Sequence, residues 1–135
     1  MKFKAAILCE INKPLLVEEI SINSLNHGQV LVKIDKSGVC RSQIFEILGE
    51  RGPDKWLPHL LGHEALGEVV EIGDGVKTVK VGDYVILSWI KSKGISAIPA
   101  KYNWGREIVN SGRVTTFSEY SICSEDRCVP ISQDL

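Results

Sequence analysis

Apolar and polar residues alternate along much of the chain, and the alternation predicts strands. Residues 3–9 (FKAAILC) and 15–20 (LLVEEI) carry this pattern, separated by Asn12-Lys13-Pro14, which suits a turn and opposes a helix. Gly28 opens a strand at 29–35, with Val30, Val32 and Ile34 on one face and Leu31, Lys33 and Asp35 on the other. The period then changes. Ile44, Ile47 and Leu48 fit a short helix that Gly49 terminates.

After a loop with Gly52, Pro53 and Pro58, residues 65–72 (ALGEVVEI) read as a strand, with Gly67 implying close approach of another backbone. Gly73-Asp74-Gly75 makes a turn, Val81-Gly82-Asp83 a bend, and 84–90 (YVILSWI) a further strand. Residues 91–112 lose the pattern and are expected to leave the core as a long excursion. Strand signal returns at 113–123 and 127–131. Many short strands with one or two short helices predict a mainly β domain, a barrel or partly open sandwich.

The length, 135 residues, suits one domain with its own core. Sixteen basic and 17 acidic side chains give a net charge of −1, a near-neutral balance without the footprint of nucleic-acid binding, where a basic stripe would be expected. No apolar run approaches the roughly 18 residues of a membrane span, and the first ten residues lack a secretory h-region. Four scattered cysteines do not make a disulfide scaffold, so the expectation is a cytoplasmic chain with reduced thiols. A G-x-G-x-x-G turn, a P-loop and a G-x-S-x-G elbow are absent, so these residues do not hold a dinucleotide-binding α/β domain.

Two segments can carry chemistry: Gly38-Val39-Cys40-Arg41-Ser42 and Gly62-His63-Glu64. Each sets a metal-capable side chain beside a glycine at the edge of a regular element. Thiolate and imidazole are ligands of catalytic zinc, which needs three protein donors and an open fourth position. By spacing alone, Cys40 and His63 read first as a buried thiol and a loop histidine, with metal ligation the second reading.

The order GVCRS, LLGHEALGEVVEIGDGV, VKVGDYV resembles the N-terminal catalytic domain of the zinc-dependent alcohol dehydrogenases, in the medium-chain dehydrogenase/reductase superfamily, from about Ala5 to Pro130. The resemblance implies a GroES-like irregular β-barrel over residues 1–135. It implies that Cys40 and His63 are ligands of the catalytic zinc, with Glu64 an acidic neighbour and Ser42 the hydroxyl that binds the substrate oxygen and begins a proton relay. Arg41 would contact the pyrophosphate of NAD or NADP, and Trp89 would line the pocket for a small alcohol or aldehyde.

The chain also departs from that pattern. The third zinc ligand, usually Cys, comes well downstream of Gly-His-Glu and does not arrive before Leu135. Cys123 and Cys128 sit in strand-like segments and are expected to be buried thiols. No cysteine lies in 91–112, so no structural zinc is expected. The Asp common after the Ser or Thr that follows the ligand Cys is Gln43, a change that should alter ligand orientation and local charge. Phe45 stands where several members have a relay histidine. Of the other histidines, His27 lies in a polar turn and His59 reads as structural or as lining the pocket near His63.

Ile131–Leu135 resembles the approach to the crossover into a nucleotide-binding domain. The expectation is thus the catalytic-domain portion of a longer, homo-oligomeric NAD(P)-linked dehydrogenase acting on an alcohol or polyol, inactive by itself. The alternatives are a free-standing GroES-like binding or assembly module, and a zinc-independent reductase relative.

Overall fold

The computed structural model describes residues 1–132 and 134. Ten strands, one helix and one 3₁₀ turn follow in the order β1 (Lys2–Leu8), β2 (Leu16–Ser21), β3 (Gln29–Ser37), α1 (Arg41–Leu48), β4 (His59–Leu60), β5 (Glu64–Ile72), β6 (Tyr84–Ser88), β7 (Lys101–Trp104), β8 (Glu107–Asn110), β9 (Tyr120–Ser124), the 3₁₀ turn Glu125–Arg127 and β10 (Cys128–Ile131). Strands β1-β2-β7-β8-β4 close into a barrel, and β10-β6-β5-β3-β9 form a second, five-stranded sheet. The mainly β, GroES-like expectation holds.

Alternation explains why the two sheets share one molecule. In β1, Phe3, Ala5 and Ile7 turn inward while Lys2 and Lys4 face solvent. Strand β3 is buried on both faces over its first half. Leu31 enters one core with Phe3, Ile7, Tyr102 and Ile122. Val30 and Val32 enter the other with Val69, Val85, Cys123 and Cys128. The close approach expected at Gly67 is present, since a Cβ there would press on the Lys33 carbonyl and lie 2.6 Å from Val32 Cγ1. The β3–β5 register shifts beside it, between Ile34 and Lys36.

Two expectations are corrected. Residues 91–112 are not wholly an excursion, because β7 and β8 form a hairpin that completes the barrel, with Tyr102 and Val109 fully buried. Gly105, at φ +59°, is the first residue of the two-residue turn between Trp104 and Glu107, the place where such hairpins favour glycine. The strand expected over 113–123 begins only at Tyr120. Val114, Thr115 and Thr116 are buried, which gives them the sequence signature of a strand. Their stretch crosses between the sheets, however: Thr116 N and Phe117 N both donate to the Leu61 carbonyl, and Ala6 N donates to Phe117 O.

Two buried polar groups tie these segments together. The Tyr102 hydroxyl accepts the Ile122 N–H at 2.8 Å, joining barrel to sheet, and burial pushes its phenol pKa up. Glu125 is also buried, and its carboxylate accepts from Lys77 N, Thr78 N, Thr78 Oγ1 and Ile95 N at 2.7–2.9 Å. Burial alone would raise its pKa, but these donors outweigh burial and hold it below the ordinary 4.5.

Tyr102→Phe strands the Ile122 N–H in the interior and should cost about 1–3 kcal/mol in urea unfolding. Glu125→Gln tests the pH linkage. A depressed folded-state pKa contributes stability that is present above 4.5 and lost as pH falls through the lower folded value. The stability gap between wild type and Glu125→Gln should therefore be widest near neutrality and shrink in acid, as urea titrations across pH would show.

Candidate active site at the N-terminus of α1

Strand β3 ends at Ser37, and Gly38 carries the chain past β5 into the helix. Gly38 N donates to Glu64 O at 2.8 Å, and a Cβ at position 38 would lie 2.7 Å from Glu64 Cγ and Oε1. Glycine is thus needed for the Glu64 side chain to lie here. Cys40 is the N-cap of α1, with φ −112° and ψ 152°. At the other end Gly49, at φ +74°, closes the helix with Gly49 N and Glu50 N on the Glu46 and Phe45 carbonyls, as the sequence implied.

Gln43, three residues after the cap, is buried and joins the parts. Its Oε1 accepts the Cys40 N–H at 2.6 Å. Its Nε2 lies 3.1 Å from Ser42 Oγ and 3.0 Å from His63 Nδ1. Ser42, through its hydroxyl and its N–H, stabilises the Cys40 thiolate, and these bonds lower the thiol pKa against burial and the nearby Glu64 charge. Cys40, Ser42 and His63 are therefore gathered around one amide.

His63 is held from behind by Gly62, whose φ is +93° and which packs against Thr116 Oγ1 and Phe117. Thr116 Oγ1 is 2.7 Å from Ser37 Oγ, which ties this turn to the end of β3. Trp89, just after β6, stands 61% exposed with its ring edge-on to His63, centroids 6.5 Å apart. Arg41 is exposed at the first turn of α1, its guanidinium 5.5 Å from the Phe45 ring.

Beside His63 opens a cavity of about 980 Å³, whose walls include Gln43, His63, His59, Asp54, Arg51 and Trp56. Cys40 and Trp89 are not among its lining residues. His59 both lines this space and serves structure: Nδ1 donates to Leu60 O at 2.9 Å and Nε2 is 2.6 Å from Asp54 Oδ2. Burial pushes the Asp54 carboxyl up, but bonds from His59 and the Trp56 N–H hold it below its usual value. His27 is exposed, and Cys123 and Cys128 are buried thiols, as expected.

The bridging role of Gln43, a departure from the family pattern in the sequence, and the Asp54 partner of His59 emerge only in the folded chain. The spacing of a capping box, in which a Gln three residues past the cap reaches back to the cap N–H, was the available signal for Gln43.

The donor types fit zinc as part of a site. Cys40 is biased toward thiolate and His63 offers an imidazole, two of the three protein ligands a catalytic ion needs. Among the described residues, no three His, Cys, Asp or Glu side chains come together to hold a metal.

Comparison with known families gives a match of residues 26–133 to the alcohol dehydrogenase GroES-like domain. The chain belongs to this family. It is 45% identical over 86 residues to an S-(hydroxymethyl)glutathione dehydrogenase of Synechocystis sp., covering 64% of this chain and 23% of that protein. It is 31% identical to the class-3 alcohol dehydrogenase of Dictyostelium discoideum, covering 97% of this chain and 41% of the relative. Among solved structures, an alcohol dehydrogenase zinc-binding domain protein from Burkholderia ambifaria has the same fold, with TM-score 0.84, 18% identity, and coverage of 99% of this chain and 43% of the other. A benzyl alcohol dehydrogenase from Acinetobacter calcoaceticus superposes at TM-score 0.79 and 21% identity, with coverage of 100% and 42%. The chain thus spans less than half the length of each of these relatives.

Gly62→Ala places a side chain at positive φ against Thr116 and Phe117. It should lower stability by about 1–3 kcal/mol, and the His63 ring resonances should shift with it in NMR spectra.

Proposed function

We propose that this chain is the catalytic-domain portion of a zinc-dependent, NAD(P)-linked dehydrogenase that interconverts a small alcohol or polyol and its carbonyl product. The observation that carries this reading is the meeting of the Cys40 N–H, the Ser42 hydroxyl and the His63 ring on the Gln43 amide, beside a cavity that Gln43 and His63 line, in a chain of the alcohol dehydrogenase GroES-like family. Cys40 and His63 would hold the ion with a third donor from beyond these residues. When bound, zinc supplies Lewis acidity that lowers the pKa of an alcohol oxygen, and nicotinamide supplies the hydride acceptor.

The chain's own side chains do the rest. Ser42 presents a hydroxyl beside the Cys40 sulfur, placed to pass a proton outward from a substrate oxygen. With Phe45 exposed on α1, a relay would have no imidazole at that position and would pass its proton to water or to a hydroxyl of the bound cofactor. Arg41, exposed at the start of α1, offers a guanidinium to the cofactor pyrophosphate. Trp89 would close the substrate space from the His63 side, and Glu64 would supply negative charge near the ion. Among the described residues no helix is long and apolar enough to cross a membrane. A cytoplasmic, homo-oligomeric holoenzyme without nucleic-acid or membrane partners completes the reading.

Two assays test it. The 135-residue chain should show no NAD(P)-linked alcohol oxidation, and turnover by it would contradict the proposed division of labour. Co²⁺ added to the chain should give a thiolate charge-transfer band that disappears in Cys40→Ser; a band unchanged in that variant would remove Cys40 from the metal site.

A further inference from the structure

We infer that Gln43 fixes the tautomer of His63 and thereby restrains metal binding at that ring; the metal half of this inference rests on the zinc reading above. The Cys40 N–H can only donate. It points at the Gln43 side chain from 2.6 Å, so the atom that receives it is the amide oxygen. The amide NH₂ is then the group facing His63 Nδ1 at 3.0 Å and Ser42 Oγ at 3.1 Å. Its two protons serve these two acceptors. Nδ1 therefore offers a lone pair, and the neutral imidazole carries its proton on Nε2.

Nε2 is the nitrogen left for a metal, and a metal needs the lone pair that this tautomer covers. Binding requires the proton to move to Nδ1, where it would meet the Gln43 NH₂. Turning the amide to present its oxygen to Nδ1 would set the NH₂ against the Cys40 N–H instead. Either arrangement faces donor with donor at a side chain closed off from water, since Gln43 is only 3% exposed while Cys40 and His63 are half-buried. Gln43 is a positioning residue that opposes the ion its neighbours would ligate. A carboxylate of the same length has no such conflict. It accepts from the Cys40 N–H with one oxygen and from an Nδ1–H with the other, which frees the Nε2 lone pair and makes the ring a better ligand.

The test compares wild type, Gln43→Glu and Gln43→Met. Imidazole nitrogen NMR shifts at alkaline pH, without metal, report the tautomer. Co²⁺ titration reports affinity, and far-UV circular dichroism checks that each variant is folded. The expected result is His63 protonated at Nε2 in wild type and at Nδ1 in Gln43→Glu, with Gln43→Met showing a mixture because it has neither bond. Co²⁺ should bind Gln43→Glu about 10- to 100-fold more tightly than wild type. Wild-type His63 protonated at Nδ1, with Co²⁺ held through Cys40 and His63, would overturn the role of Gln43 and leave the zinc reading standing. The tautomer switch without Co²⁺ uptake by any of the three proteins would overturn the restraint on metal together with the zinc reading.

Discussion

Strand β3 is the constraint on which the rest of the molecule depends. Its hydrogen bonds run to β5 on one side and to β9 on the other, and its side chains alternate between two separate cores. Strand β9 repeats the device, sending Ile122 to one core and Cys123 to the other. A strand buried on both faces cannot slip by one residue without exchanging the contents of the two cores. This register fixes where β3 ends, and so where Gly38 and Cys40 enter the helix. The site is placed by packing that lies farther back along the same strand, at Gln29–Val32.

At that end, the backbone decides the chemistry more than any charged group does. Helix α1 starts without an acidic residue in its first turn, and the Cys40 N–H is met by the Gln43 side chain. This bond, a common way to finish a helix end, orients an amide whose other face meets His63 and Ser42. A residue used to cap a helix therefore also determines which proton pattern the neighbouring imidazole presents. Gly38 and Gly62 contribute by absence, since a Cβ on either would collide with Glu64 or with Thr116 and Phe117.

The cavity beside His63 has a mixed wall. The His59–Asp54 pair fixes the loop that leads into β4, so a residue that faces the open space is also bound to the scaffold. Exposed Trp89 and the exposed apolar side chains Val39, Ile44 and Phe45 lie around the same helix and strand ends. Position in the fold, more than residue type, separates the groups that face the cavity from those that stand outside it.

The sequence by itself determined the local features. Alternation located β1, β2, β3, β5 and β6, the 3.6 period located α1, and Gly49 and Gly67 marked a helix end and a close backbone approach for reasons internal to their neighbourhoods. GVCRS and Gly62-His63-Glu64 singled out the side chains with ligand chemistry, and their resemblance to a known family indicated the fold. Tertiary structure alone decided what those signals share. Val114–Thr116 look like a strand because they are buried, yet the bonds of Thr116 and of Phe117 beside it go to Leu61 and Ala6, partners remote in sequence. The short β4 gains its strand character only from β1 and β8. Gln43 reads as a neutral replacement until His63, 20 residues on, is brought to its amide. Alternation reports burial, which is local and periodic, whereas the identity of a hydrogen-bond partner is set by the path of a distant segment.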